Sequence, residues 1–272
     1  MKYNLTILIC LYNKNVNTSN TLQSLLKSDY VKENSTIFIW DNSIEPLEQE
    51  SLNFLNNNFS KLIYKHTPEN VVLSKIYNAV IESLDDNCYL MLCDDDSNIP
   101  VAFFDKLIEQ IKINPNQDLF LPQIYSNSVL VSPAKDFLIK TSLIKKLTPG
   151  AIMSSYTTAI NSGMVISSRF FKEEGFRYDE RLRFYGTDNY FMNEYSKLRK
   201  DLIVLDIKFT HSLSFNDSND VNNKLRIFKE IKKSNAIIYS DQFLKRQIVL
   251  FNNLVVACKL SLKHKTLRFF SN

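Results

Sequence analysis

The sequence contains very little glycine, and all of it lies in the second half of the chain. Only four glycines occur in 272 residues, and the first is Gly150. Neither GxGxxG nor GxxxxGK is present, which excludes the glycine-rich phosphate loops of dinucleotide-binding and P-loop proteins. If the N-terminal half binds a nucleotide diphosphate, something other than a glycine loop must neutralise its charge, and a metal ion held by aspartates would do so.

Cysteine and long apolar runs are also scarce. The four cysteines form no CxxC pair, which is typical of reduced core residues in a cytosolic protein. No segment approaches the roughly 18 apolar residues of a membrane span. The first residues run directly into a strand-like segment, so we expect no signal peptide and a cytoplasmic location.

Acidic residues are depleted at the C-terminal end. Residues 222–272 hold 11 Lys/Arg and 2 Asp/Glu, whereas the remaining 221 residues hold 22 and 27. Apolar residues are interleaved with the basic ones, which predicts a basic amphipathic helical extension over residues 216–272. Such helices suit an anionic membrane surface. Packing on the rest of the protein or on a second subunit is the alternative.

Apolar strands alternate four times with helical segments in the N-terminal half. Uninterrupted apolar strands in that setting predict an α/β fold, with a mostly parallel central sheet flanked by helices. We expect this domain to span residues 1–215. The predicted strands are Leu5–Leu11, Thr36–Trp40, Leu62–Tyr64 and Cys88–Cys93.

Polar clusters follow three of these strands, at the edge where parallel sheets bind their ligands. The last cluster contains three consecutive aspartates, whose charges repel one another. A divalent cation relieves that repulsion, because hard cations take oxygen ligands. The clusters are Tyr12-Asn13-Lys14, Asp41-Asn42-Ser43 and Asp94-Asp95-Asp96-Ser97.

Four segments resemble family 2 glycosyltransferases of the Rossmann-like GT-A fold, over roughly residues 3–212. Asp94–Asp96 looks like the DxD motif of that family, and 92 residues separate Asp96 from Asp188. The segment 210–212 is also similar to bacterial rhamnosyltransferase-like members. The four segments are Ile9–Asn13, Trp40–Ser43, Leu92–Ser97 and Gly186–Asp188.

The resemblance implies a metal-dependent hexosyltransferase that moves a sugar from a nucleotide diphosphate to a hydroxyl group with inversion at C1. Asp96 and Asp94 are the implied ligands of Mn²⁺ or Mg²⁺. His211 is a third candidate ligand, or else a surface residue. Asp188 is the candidate general base, or else only the N-cap of the next helix. A helix N-terminus would keep its carboxylate ionised.

The resemblance also implies that Asn13, Asp94 and Asp95 contact the donor nucleotide. It implies three further contacts with the donor, from Tyr12, Asp41 and Gly163. Tyr12 would stack on the base, or simply pack. Asp41 would accept the N3–H of a pyrimidine, which favours UDP or dTDP donors, or it closes an Asx turn. Gly163 would let the backbone approach the donor sugar, or it eases a bend.

The resemblance places the acceptor among glycans or polyprenyl-linked glycans of surface polysaccharide synthesis, with the protein peripheral on the cytosolic face of the inner membrane. A sugar nucleotidyltransferase is one alternative, although such enzymes carry a glycine-rich N-terminal loop. A non-catalytic nucleotide-sugar-binding scaffold is another, and the intact aspartates argue against it. Nucleic acid is not an expected partner, because the body of the chain is acidic and nucleic-acid-binding motifs are missing.

Overall fold

The computed structural model describes residues 4–137, 140–144, 147–211 and 220–270. The strands in these ranges are β1 (Asn4–Leu11), β2 (Ser35–Asp41), β3 (Lys61–His66), β4 (Cys88–Asp94), β5 (Ser97–Asn98), β6 (Leu119–Ser126), β7 (Val129–Ser132), β8 (Ala134–Phe137), β9 (Lys140–Ser142), β10 (Gly150–Met153), β11 (Thr157–Thr158), β12 (Met164–Ser167) and β13 (Asp201–His211). The helices are α1 (Asn20–Leu25), α2 (Asp29–Asn34), α3 (Gln49–Asn58), α4 (Leu73–Glu82), α5 (Ala102–Ile113), α6 (Ser168–Glu173), α7 (Thr187–Leu198), α8 (Val221–Ile238) and α9 (Phe243–His264), and a 3₁₀ turn follows at Arg268–Phe270.

One large sheet runs through the molecule in the order β10-β13-β6-β12-β4-β1-β2-β3. The last four strands in this order are mutually parallel, which confirms the sheet predicted for the N-terminal half. β12 is antiparallel to both β4 and β6, and β10 is antiparallel to β13. The C-terminal half therefore makes the whole sheet mixed. A separate small sheet contains β11, β8 and β9.

The central strands are apolar throughout because both of their faces are covered. Successive side chains of a strand point to opposite faces, and β1 follows this rule. Ile7 and Ile9 belong to one hydrophobic core, whereas Leu8 belongs to the core on the other side of the sheet. Met91 and Leu92 of β4 are divided in the same way.

Several helix boundaries differ from the sequence expectations. The sequence offers Thr18 and Ser19 as caps of the first helix. Ser19 is the cap of α1, since its Oγ accepts a hydrogen bond from the N–H of Leu22. In the sequence, Pro100 fits the first position of the helix that follows the aspartates, but α5 begins at Ala102. In the extension, which was expected to be helical over residues 216–272, a turn at residues 239–242 separates α8 from α9.

Helix α8 packs on the α/β domain. The Ser234 hydroxyl of this helix donates to the carbonyl oxygen of Tyr185 at 2.7 Å, and Ile238 shares a small core with Leu182. For α8, the alternative to membrane binding is therefore correct, because this helix packs on the rest of the protein. The expected domain boundary at 215/216 lies outside the described residues. Among the described helices, none has both the length and the apolar composition needed to cross a membrane.

Candidate active site

The carboxyl ends of β1, β2 and β4 meet at one edge of the sheet. Leu11 pairs with Asp41, and Cys10 pairs with Asp94. The loops that follow the three strands therefore leave the sheet side by side, and the structure brings the three predicted polar clusters together.

An open cleft of about 530 Å³ lies at this edge and is called the donor cleft below. Tyr12 and the three consecutive aspartates line it, and the Tyr12 side chain is half exposed. Asn42 of the second predicted polar cluster also lines it. The other lining residues are Cys10, Leu11, Asn70, Leu73, Phe184, Tyr185 and Arg226.

Asn13 lies beside the donor cleft and does not line it. Its backbone is in the left-handed region, with φ at 52°, and its N–H donates to Ser43 Oγ at 2.8 Å. This bond joins the loops after β1 and β2, and Asn13 lines a neighbouring cleft between them. The structure thus gives Asn13 a role in loop geometry.

Asp95 holds the loop that follows β1. Its Oδ1 lies 2.6 Å from Lys14 Nζ in an ion pair, and its Oδ2 accepts a hydrogen bond from the N–H of Tyr12 at 3.2 Å. Both carboxylate oxygens are thereby engaged within the protein. Asp95 therefore positions Tyr12. Because Asp95 also lines the donor cleft, its contact with the donor stays a prediction.

Asp94 is held in place by hydroxyl groups of other elements. Its Oδ2 accepts from Ser162 Oγ at 3.0 Å, and Ser162 Oγ lies 2.8 Å from Ser97 Oγ. Thr21 Oγ1 donates to the carbonyl oxygen of Asp94 at 2.6 Å. These bonds fix the aspartate loop in one conformation at the floor of the cleft.

The carboxylates of Asp94 and Asp96 are the candidate metal ligands. Both line the donor cleft. The backbone of His211 pairs with Ser97, which brings it next to Asp96, but the side chain of His211 lies outside what the structure describes. No group of three His, Cys, Asp or Glu side chains forms a metal site within the described residues. Mg²⁺ is commonly bound by one or two carboxylates plus substrate phosphates, so these residues fit a cation shared with a diphosphate.

Asp41 is fully buried, so its predicted contact with a nucleobase is not supported. Its Oδ1 accepts from the N–H of Ser43 at 3.0 Å, which is the Asx turn, and its Oδ2 accepts from the Tyr64 hydroxyl at 2.7 Å. Burial and this hydrogen bond raise the pKa of Tyr64 to about 12. The structure therefore favours the alternative, in which Asp41 closes the turn after β2.

Gly163 is needed for packing inside the protein. Its φ is +79°, and an added Cβ would lie 2.4 Å from the ring of Phe209 and 3.0 Å from Pro122. Gly163 lines neither the donor cleft nor the smaller cleft beside it. The close approach that it permits is to Phe209, which replaces the predicted approach to a donor sugar.

Asp188 lies in a second cleft of about 280 Å³, called the acceptor cleft below. Asp94 lines both clefts, as do Leu73, Phe184 and Tyr185, so the two clefts adjoin one another. The N-cap of α7 is Gly186 and not Asp188, because α7 begins at Thr187. Gly186 has φ at +84°, and an added Cβ would lie 2.8 Å from Ser234 Cβ. Glycine therefore permits both the turn and the contact with α8.

Burial raises the pKa of Asp188 to about 6, and the charge of Asp94 adds to the rise. The N–H of Asn189, which donates to Asp188 Oδ1 at 2.8 Å, acts in the opposite direction. Burial therefore affects the pKa of Asp188 more than the N–H of Asn189 at the helix N-terminus does. A carboxylate with this pKa is still mostly ionised at pH 7, and it is a stronger base than an ordinary aspartate.

Arg226 is the main residue that the sequence reasoning missed. It belongs to α8 and lines the donor cleft, where the other charged lining residues in the described part of the chain are the three aspartates. Its Nη2 donates to Asn223 Oδ1 at 3.0 Å, and more than half of its side chain is exposed. The basic composition of residues 222–272 was the available signal, but it did not single out Arg226 from ten other cations.

Comparison with known proteins gives a consistent result. The model of the family described as "Glycosyl transferase family 2" matches residues 6–175, and no curated protein sequence matches significantly. A structure of S. aureus TarS 1–349 aligns with 14% identity and a TM-score of 0.60, covering 90% of this chain and 69% of that one.

Two further structures share the fold. TarS 1–349 in complex with UDP-GlcNAc has 14% identity and a TM-score of 0.54, covering 86% of this chain and 66% of that one. GalNAc-T7 with UDP, GalNAc and Mn²⁺ has 14% identity and a TM-score of 0.57, covering 84% of this chain and 48% of that one. The present chain spans 43% of a longer TarS structure.

Proposed function

The chain belongs to glycosyl transferase family 2, and we propose that this glycosyltransferase transfers a sugar from a UDP-sugar to a glycan hydroxyl with inversion at C1. One observation carries the proposal. Asp94 lines both clefts, whereas Asp96 lines only the donor cleft and Asp188 lines only the acceptor cleft.

The donor assignment is supported by the chemistry of the donor cleft and by the related structures. The exposed face of Tyr12 offers a surface on which a base can stack. TarS has been crystallised with UDP and UDP-GlcNAc, and GalNAc-T7 with UDP. UDP therefore comes first among the nucleotides to test, and dTDP second.

Asp94 and Asp96 would hold a divalent cation against the diphosphate. When bound, Mn²⁺ or Mg²⁺ neutralises the negative charge that develops on the leaving diphosphate. Arg226 lies in the same cleft, and its planar guanidinium suits two phosphate oxygens at once. We assign Arg226 to the diphosphate. The preference between the two ions stays a prediction.

Asp188 would act as the general base of a single displacement. It takes the proton from the acceptor hydroxyl while the oxygen attacks C1, and the bond from C1 to the diphosphate oxygen breaks. A covalent intermediate on Cys10 is not supported, because burial, and then the charge of Asp94, raise the pKa of that thiol well above its ordinary value. One displacement without an intermediate inverts C1.

The acceptor cleft suits a glycan. Its lining includes three amide side chains, from Asn161, Asn189 and Asn235, and amides can both donate to and accept from sugar hydroxyls. A polyprenyl-linked glycan of surface polysaccharide synthesis remains our prediction for the acceptor. A location on the cytosolic face of the membrane remains a prediction as well.

The test is UDP release from a panel of UDP-sugars, with glycan acceptors and Mn²⁺ or Mg²⁺. We expect Asp188→Asn to lower the rate by at least 100-fold, as removal of a general base does. The matched control is Asp105→Asn, which changes an exposed acid in the first turn of α5. Full transfer by Asp188→Asn would refute the base assignment. Pyrophosphate release from a nucleotide triphosphate would instead indicate a nucleotidyltransferase, and donor binding without turnover would indicate a scaffold.

A further inference from the structure

Helix α9 exposes a row of large apolar side chains. Residues at intervals of four face inward, namely Val249, Asn253, Ala257 and Ser261. Six phenylalanines and leucines on the outer side are between 52% and 80% exposed. They are Phe243, Leu244, Leu250, Phe251, Leu254 and Leu262.

These six side chains form one stripe. At about 100° per residue, they fall within an arc of about 120° on the helix surface. With about 1.5 Å of rise per residue, the 22-residue helix is roughly 33 Å long. Scattered single apolar residues are normal on protein surfaces, but six large exposed apolar side chains on one face of a helix mark an interaction site.

The stripe continues into an apolar cleft at the C-terminal end of α9. This cleft has a volume of about 500 Å³ and is lined by Cys258, Leu262, Leu267 and Phe270, together with Lys265. Leu267 is 77% exposed. The stripe and the cleft are together called the α9 surface.

The charged side chains within the segment that carries the α9 surface have one sign. Residues 242–272 contain six Lys/Arg and no Asp or Glu. Lys259 and Lys263 are exposed and lie on the helix about 60–100° beyond the edge of the stripe. An apolar stripe with lysines at its side is the pattern of a helix that lies in the interface of an anionic bilayer.

We propose that the α9 surface docks on an anionic membrane. Phe251 and its neighbours would enter the lipid interface, while Lys259 and Lys263 contact anionic headgroups. A second copy of the chain fits less well, because a symmetric contact would bring two basic flanks together with no acidic residue on either. Helix α9 packs on α8, which lines both clefts, so docking would hold the clefts near the membrane.

The proposal is tested by vesicle flotation of the full chain. Wild-type protein should bind vesicles that contain phosphatidylglycerol, and binding should weaken with added salt and on phosphatidylcholine alone. Phe251→Ser combined with Leu254→Ser should weaken binding at least tenfold. Lys259→Glu combined with Lys263→Glu should do the same on the anionic vesicles only.

The matched control is Phe54→Ser on α3, which removes an apolar side chain that is 49% exposed elsewhere on the protein. It should leave vesicle binding unchanged. All variants should keep the wild-type melting temperature, since the changed residues are exposed, and UDP release with a soluble acceptor should also be unaffected. The readout is lipid binding, so it does not depend on the proposed transferase reaction.

Two results would overturn the proposal. One is absence of binding to the anionic vesicles, or equal binding by wild type and the Phe251→Ser/Leu254→Ser variant. The other is a dimer in light scattering that the same variant dissociates, because the α9 surface would then be covered by a second copy.

Discussion

Replacing Asp188 with asparagine should stabilise the folded protein above pH 6 while it lowers the rate of sugar transfer at least 100-fold. The reason is that burial raises the pKa of Asp188 from its ordinary 3.8 to about 6. At neutral pH the folded protein therefore holds a carboxylate that ionises more easily in the unfolded chain. Asparagine has the same shape and keeps the oxygen that accepts from the N–H of Asn189.

The size of the effect follows from the pKa. At about 1.4 kcal/mol per pKa unit, the rise in the pKa of Asp188 corresponds to a loss of about 3 kcal/mol in the free energy of unfolding at neutral pH. Partial exposure of the side chain and the lost attraction to the helix N-terminus reduce this, and we expect about 2 kcal/mol. The sign is fixed by linkage. Below pH 4, Asp188 is protonated in both the folded and the unfolded protein, so its ionisation costs no stability. The cost grows between pH 4 and 6, and it is constant above pH 6.

The assay is urea unfolding of the wild type and the variant at pH 8 and at pH 4. Both are measured in EDTA, since a cation bound at Asp94 would lower the pKa of Asp188. The exposed Asp105→Asn again serves as the control and should change the unfolding free energy little at either pH. Equal stability of wild type and Asp188→Asn at pH 8 would refute the argument, as would a gain that persists unchanged at pH 4.

Three other predictions concern the donor cleft and the turn before α7. Asp96→Ala should abolish the metal-dependent rise in melting temperature that UDP produces, and an unchanged rise would exclude Asp96 as a ligand. Arg226→Ala should raise KM for the donor about tenfold or more, with partial recovery in Arg226→Lys; an unaltered KM would leave the guanidinium without a role in donor binding. Gly186→Ala should cost about 2 kcal/mol or more in urea unfolding, because φ is positive and the new Cβ meets Ser234. Gly175→Ala, at a positive φ with open space around it, should cost less, and equal costs would contradict the packing argument.

The N-terminal half of the fold was predictable because its signals are local. The four parallel strands are short apolar runs, and the helices between them have caps or stripes that a single segment reveals. The insertion of β12 between β4 and β6 was not predictable, since strand pairing over 70 residues or more leaves no local mark. The helical extension was predicted, but the position of the turn at residues 239–242 was not, because the segments on both sides of it have helical patterns.

The candidate site shows the same division. The sequence by itself determined which carboxylates follow the strands, and it identified Asp94, Asp96 and Asp188 as the acids around which the proposed chemistry is built. Tertiary structure decided the rest. Asp41 accepts hydrogen bonds from the Tyr64 hydroxyl and from the N–H of Ser43. The ring of Phe209 fills the space beside Gly163.

The contribution of the C-terminal helices was likewise decided by packing. Composition determined that residues 222–272 are basic and amphipathic, but it assigned the same property to both helices. The contact between Ser234 and the chain at Tyr185 places α8, with Arg226, over the clefts, and it leaves the apolar stripe of α9 facing outward. The physical reason is that a helix face is buried by whatever surface the fold brings against it, and sequence periodicity describes the face without describing that surface.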